Sequence, residues 1–166
     1  AKILNIKDFV LWWSSRGTKP RLDGPSELGV TKAEWKAFID LSNFIVDKMG
    51  LEPQWVINII LPSKPEKDKR IDATTSWIPH YREATIIIKQ DLVTNLDRFT
   101  KTLIHELIHV RMADIHDWII EQTPSGRRED AVNIIEQTVS EVSNLYTNEF
   151  LKVYADELDK FATPTK

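Results

Sequence analysis

Leu103-Ile104-His105-Glu106-Leu107-Ile108-His109-Val110 is the stretch on which the reading of this chain turns. From Leu96 onward, Phe99, Leu103, Leu107 and Val110 recur at helical spacing, and Ile104 and Ile108 widen the row. That pattern predicts an amphipathic helix. On it, His105 and His109 differ by about 40° in direction and about 6 Å along the axis, so their imidazoles can converge on one metal ion. Glu106 stands about one-quarter turn away, beside such an ion but not among its first two ligands. There its carboxylate can take a proton from water and pass it to a leaving amine.

A catalytic zinc takes three protein ligands and keeps one position open. The chain has no cysteine, so the third ligand must be His, Asp or Glu. Met112 stands where a glycine could turn the chain, and on a continued helix His116 lies about 10 Å beyond His109, out of reach of a shared ion. After the break at Thr123-Pro124-Ser125-Gly126, a long helix is expected from about Arg128 towards Phe161. It should be buried through Val132, Ile135, Val139, Val142, Tyr146 and Phe150. Relative to Val139, Glu136 lies about 60° away at the margin of the apolar face, whereas Glu141 lies about 200° away and faces solvent. Glu136 is the favoured third ligand because a carboxylate at the edge of a packed face needs a partner for its charge. His116, Glu129, Glu121 and Glu141 are the alternatives. Two imidazoles and one carboxylate favour zinc, one ion per chain, over cobalt or manganese.

Upstream, Thr31 followed by Glu34 forms a capping-box pattern, and Trp35, Phe38, Ile39, Phe44 and Ile45 have helical spacing ahead of Gly50. A helix over 32–49 is predicted. Trp55 to Leu61 reads as a buried strand closed by Pro62. Thr74 to Ile78 and Ala84 to Lys89 read as an antiparallel pair joined by Pro79-His80-Tyr81-Arg82. His80 and Tyr81 are secondary candidates for orienting substrate from that turn. The stretches 16–29 and 62–70 read as loops, the first after a short apolar start at Phe9 to Trp13. The six tryptophans, Trp12, Trp13, Trp35, Trp55, Trp77 and Trp118, are assigned mostly to packing.

At 166 residues and 42% hydrophobic content, the chain is expected to form one domain with its own core. With 22 basic against 25 acidic residues and a net charge of -3, it lacks the basic excess of broad nucleic-acid binders, so no nucleic-acid partner is expected. Lys2, Lys7 and Asp8 interrupt the apolar residues at the start, and no apolar run is long enough for a membrane span. The expectation is a soluble, cytoplasmic protein without a membrane partner. The sequence leaves the oligomeric state open.

His105-Glu106-Leu107-Ile108-His109, followed by a helix containing Glu136-Gln137-Thr138-Val139, resembles the gluzincin class of zincin metallopeptidases, and most closely its small single-domain phage and prokaryotic members. The resemblance covers about residues 54–146. It implies zinc held by His105, His109 and Glu136, Glu106 as general base, and a sheet edge that holds an extended peptide substrate. Ser140 departs from the larger gluzincins, which have an aspartate there behind a zinc-binding histidine. The expected fold is therefore α+β and zincin-like: a small antiparallel or mixed sheet packed on the HExxH helix, then the long glutamate-bearing helix. A single domain over 1–166 is expected, with an N-terminal segment 1–30, a core 31–154 and a tail 155–166, whose two ends could lie over the cleft. The expected activity is zinc-dependent hydrolysis of peptides or proteins. The alternatives are an inactive interaction or structural protein that keeps the fold, and a zinc hydrolase acting on another amide.

Overall fold

A computed structural model of the protein describes residues 2–3, 28–61 and 70–162. The loops expected over most of 16–29 and over 62–70, with the apolar start at Phe9 to Trp13, lie outside the described residues, except at their borders. Helix α1, Lys32–Met49, begins as its sequence dictates. The Thr31 hydroxyl accepts from the Glu34 N–H at 3.1 Å, and the Glu34 carboxylate accepts from the Thr31 N–H at 2.7 Å. Gly50 ends the helix at φ 65°, a left-handed conformation that favours a residue without Cβ. The Arg111 guanidinium also donates to the Met49 carbonyl, satisfying one of the free acceptors at the helix end. Phe38, Leu41, Ile45 and Val46 turn inward.

The sheet is mixed, with strand order β1-β2-β4-β3. Strand β1, Lys2–Ile3, runs parallel to β2, Val56–Ile60, which runs parallel to β4, Glu83–Ile88. Strand β3, Ala73–Ile78, pairs antiparallel with β4, so that Thr75 faces Ile86 and Trp77 faces Ala84. The antiparallel pair satisfies the sequence expectation, with each strand beginning one residue earlier and β4 ending at Ile88. The connection closes through Arg82, whose φ of 48° is left-handed and whose carbonyl accepts from the Val56 N–H at 2.8 Å. Ile57 and Ile59 of β2 and Ala84, Ile86 and Ile88 of β4 are buried, whereas β3 alternates between half-buried and exposed residues. That alternation marks an edge strand with one covered face.

Helix α2, Leu96–Arg111, packs against β3 and α1, with Phe38 and Phe99 4.6 Å apart between ring centres. The chain then breaks at Met112 and continues as α3, Ala113–Gln122. Helix α4, Arg128–Val153, packs along α2. Its inward line differs from the expected one: Ala131, Val139, Ser143, Thr147 and Phe150 are buried, while Val132, Val142 and Tyr146 face out. Small side chains at 143 and 147 allow close approach of the two helices, so local fit prevails over hydrophobicity.

The expected single helix to Phe161 ends at Val153. After Tyr154, helix α5, Ala155–Ala162, turns back onto α1. Phe44 there meets Phe161 at 5.6 Å and Tyr154 at 5.5 Å. Residues 155–162 thus pack on α1 and are not over the cleft described below. Among the described residues, no helix is long and apolar enough to cross a membrane.

Candidate metal centre

Helices α2 and α4 bring three side chains from two distant stretches to one point. His105 Nε2 lies 3.0 Å from Glu136 Oε1, His109 Nε2 lies 3.0 Å from Glu136 Oε2, and the two Nε2 atoms are 3.2 Å apart. One ligand atom from each residue falls within 4.8 Å of the others. Two nitrogens that share a tetrahedral ion at about 2.0–2.1 Å sit roughly 3.3 Å apart. The spacing fits that requirement.

The environment of His105 makes the case sharper. Its Nδ1 lies 3.3 Å from the Ser143 hydroxyl, which in turn donates to the Ser140 carbonyl at 3.0 Å. The tautomer of His105 decides how that contact runs: with Nδ1–H, Ser143 accepts and Nε2 is free to ligate, whereas with Nε2–H, Ser143 donates to Nδ1 and Nε2–H donates to Glu136. In the first arrangement the Nε2 lone pair faces a carboxylate oxygen and a second imidazole, and a metal ion at their meeting point satisfies all three groups. The arrival of His109 at the same point matches a metal, because burial holds the His109 pKa down at about 4, partly offset by Glu136, and keeps that imidazole neutral and able to ligate.

Glu106 stands beside this group and is only 7% exposed. Its carboxylate accepts a hydrogen bond from the Thr75 hydroxyl of β3. Burial raises its pKa, while the Thr75 bond and His105 pull the other way and Glu136 adds to the rise. The result is a carboxylate that is a stronger base than an exposed one and is fixed in direction by the sheet edge.

A cleft of about 360 Å³ opens over these groups, lined by β3, α2, α3 and α4. His116 reaches it because the break at Met112 swings α3 back: its ring lies 5.3 Å from that of His109 and 5.7 Å from that of Trp77. The continuous-helix expectation for His116 therefore fails, although His116 still stands outside the three-residue group. Glu121 and Glu129 are exposed and do not join that group, and Glu141 accepts instead from Gln137 at 3.2 Å. His80 and Tyr81 lie exposed in the hairpin turn, away from the cleft lining.

Two contributors were missed by sequence reasoning. Thr75 shares the inward side of β3 with Trp77, and strand alternation carries that signal. Ser143 lies seven residues after Glu136, two helical turns along the same face, which is the signal that could have found it. No family model matches this chain, and neither does any curated protein or solved structure.

Proposed function

We propose that the chain is a zinc-dependent peptidase with a zincin-like arrangement of sheet edge, HExxH helix and glutamate helix. The observation that carries this reading is the meeting of His105, His109 and Glu136 at ligand spacing, with the Ser143 hydroxyl behind His105 Nδ1. The bound ion would supply a Lewis acid for the scissile carbonyl and for the attacking water. Glu106, oriented by Thr75, takes the proton of that water and returns it to the leaving amine. Along β3, one edge pairs with β4 and the other has no strand beside it among the described residues. That free edge offers backbone donors and acceptors to an extended peptide.

The test begins with metal content. About one zinc per chain is expected in the parent, and its loss in His105→Ala and Glu136→Ala. Glu106→Gln keeps the metal and loses roughly 10²–10⁴-fold in peptide turnover. A parent that takes up no zinc on reconstitution, or a Glu106→Gln variant as active as the parent, refutes the assignment. Acyl-amide substrates assayed beside peptides separate peptidase from other amide hydrolysis.

A further inference from the structure

Helix α4 carries more hydrocarbon on its surface than the fold of one chain uses. Ile134, Leu145 and Val153 are 65, 71 and 67% exposed, and Val142 and Tyr146 also face out. By helical geometry Ile134, Thr138, Val142, Leu145, Glu149 and Val153 fall within about 100° of one another, in a stripe about 28 Å long. Tyr146 borders it. Together the apolar side chains leave roughly 500 Å² open, the size of patch that marks an interaction site.

The order of residues along the stripe says what fits it. Its intervals are four, four, three, four and four, the same from either end. Ile134 and Val153 lie equally far from the midpoint between Ser143 and Asn144, as do Thr138 and Glu149, and Val142 and Leu145. Turned end over end and laid on a second copy, the stripe sets Ile134 against Val153, Val142 against Leu145 and Thr138 against Glu149. Each branched apolar side chain then meets another. A contact between identical chains about a twofold axis requires this property, because every residue pair occurs twice with the partners exchanged. A foreign partner requires nothing of the kind.

Charge selects the orientation. Two copies running in the same direction would place Glu149 against Glu149, a like-charge contact that disfavours the pair. End over end, Glu149 meets the uncharged Thr138, and its own charge is answered by Lys152 at 2.7 Å. The Thr138 hydroxyl already donates to the Ile134 carbonyl at 2.8 Å, so it brings no unpaired donor to the contact. Opposed helix dipoles favour the same arrangement.

We propose that a second copy of this chain docks on the outer stripe of α4, antiparallel, with the twofold axis passing beside Ser143 and Asn144. Two stripes cover about 1,000 Å² together, the lower bound for a specific interface, so the dimer forms as concentration rises. Glu136 stands about 150° around the helix from the centre of the stripe, so zinc uptake does not depend on the contact and the two readings stand or fall separately.

Sedimentation of the full chain from micromolar to millimolar concentration tests the contact. The mass should rise from one chain towards two, while Leu145→Asp stays at one chain with the helix content and zinc uptake of the parent. The chain has no cysteine, so single introduced cysteines report the orientation without background. A mixture of Ile134→Cys and Val153→Cys should form a disulfide-linked pair at least tenfold faster than Ile134→Cys alone. In the antiparallel pair the two copies of position 134 lie about 28 Å apart along the axis, far beyond the roughly 4.4–6.8 Å that a disulfide spans between Cα atoms. A single-chain mass at every concentration, a Leu145→Asp variant that dimerises like the parent, or Ile134→Cys alone linking as fast as the mixture overturns the proposal.

Discussion

Replacing Ser143 with alanine removes the hydroxyl that faces His105 Nδ1, the acceptor for Nδ1–H when Nε2 ligates, and leaves the backbone of α4 untouched. The bond is 3.3 Å long, at the weak end of the range, and joins a part-buried imidazole to a serine that is 4% exposed. Loss of a partner behind a metal-binding histidine costs about 10–100-fold in metal affinity. The length of this bond places Ser143→Ala near the lower figure, roughly tenfold, or about 1.4 kcal/mol. The same value falls in the range of about 1–3 kcal/mol for leaving a buried donor unpaired. Competition with a chromophoric zinc chelator at neutral pH measures it, with circular dichroism to show that α4 is intact. Ser143→Asp supplies an acceptor again and should bind zinc at least as tightly as Ser143→Ala. Unchanged zinc affinity in Ser143→Ala would refute a part for Ser143 in holding His105 for the ion.

In the metal-free protein, the His109 pKa of about 4 lies below its ordinary 6.5, so stability is full above about pH 6.5 and declines as the pH falls towards 4. His109→Gln should flatten that decline by about 1–3 kcal/mol in urea unfolding series, and parallel curves for parent and variant would contradict it. Thr75→Val removes a bond that favours ionised Glu106, so the acidic limb of the rate profile should move to higher pH, measurable in kcat/KM against pH. Phe161→Ala should cost about 1–3 kcal/mol of stability through loss of a half-buried ring's packing on Phe44, seen as a lower melting temperature, without raising activity. A gain in casein cleavage would instead show that the C-terminal helix restrains the site.

Much of the fold is legible where local chemistry is decisive. Thr31, Glu34 and Gly50 delimit α1 by themselves, because capping is settled within four residues. The β3–β4 pair follows from strand runs around a proline turn, and the His105, Glu106 and His109 positions follow from helical geometry alone. Glu136 was reached by its direction relative to Val139, a residue that is buried as expected. Errors arose where tertiary packing decides. No glycine or proline marks the break at Met112, which instead allows Ala113 and His116 to be buried. The inward line of α4 passes through Ser143 and Thr147, residues that hydrophobicity ranks below the outward-facing Val142 and Tyr146. The place of Ser143 beside His105 follows from the same shift, which buries it against α2.

Two polar ties join the hairpin to α3, and both lie towards one end of β3. Trp77 is held by Asp117, and Arg82, which follows the strand, meets Asp114 at 2.7 Å while its guanidinium covers Trp55 at 5.2 Å. The Arg82–Asp114 pair is exposed and worth about 1 kcal/mol or less, so its contribution is chiefly to geometry. At the other end Asp72, one residue before the strand, takes two donors from the Arg98 guanidinium of α2, one of them at 2.8 Å, so β3 is tied to a helix at each end and the wall it gives the cleft is held along its whole length.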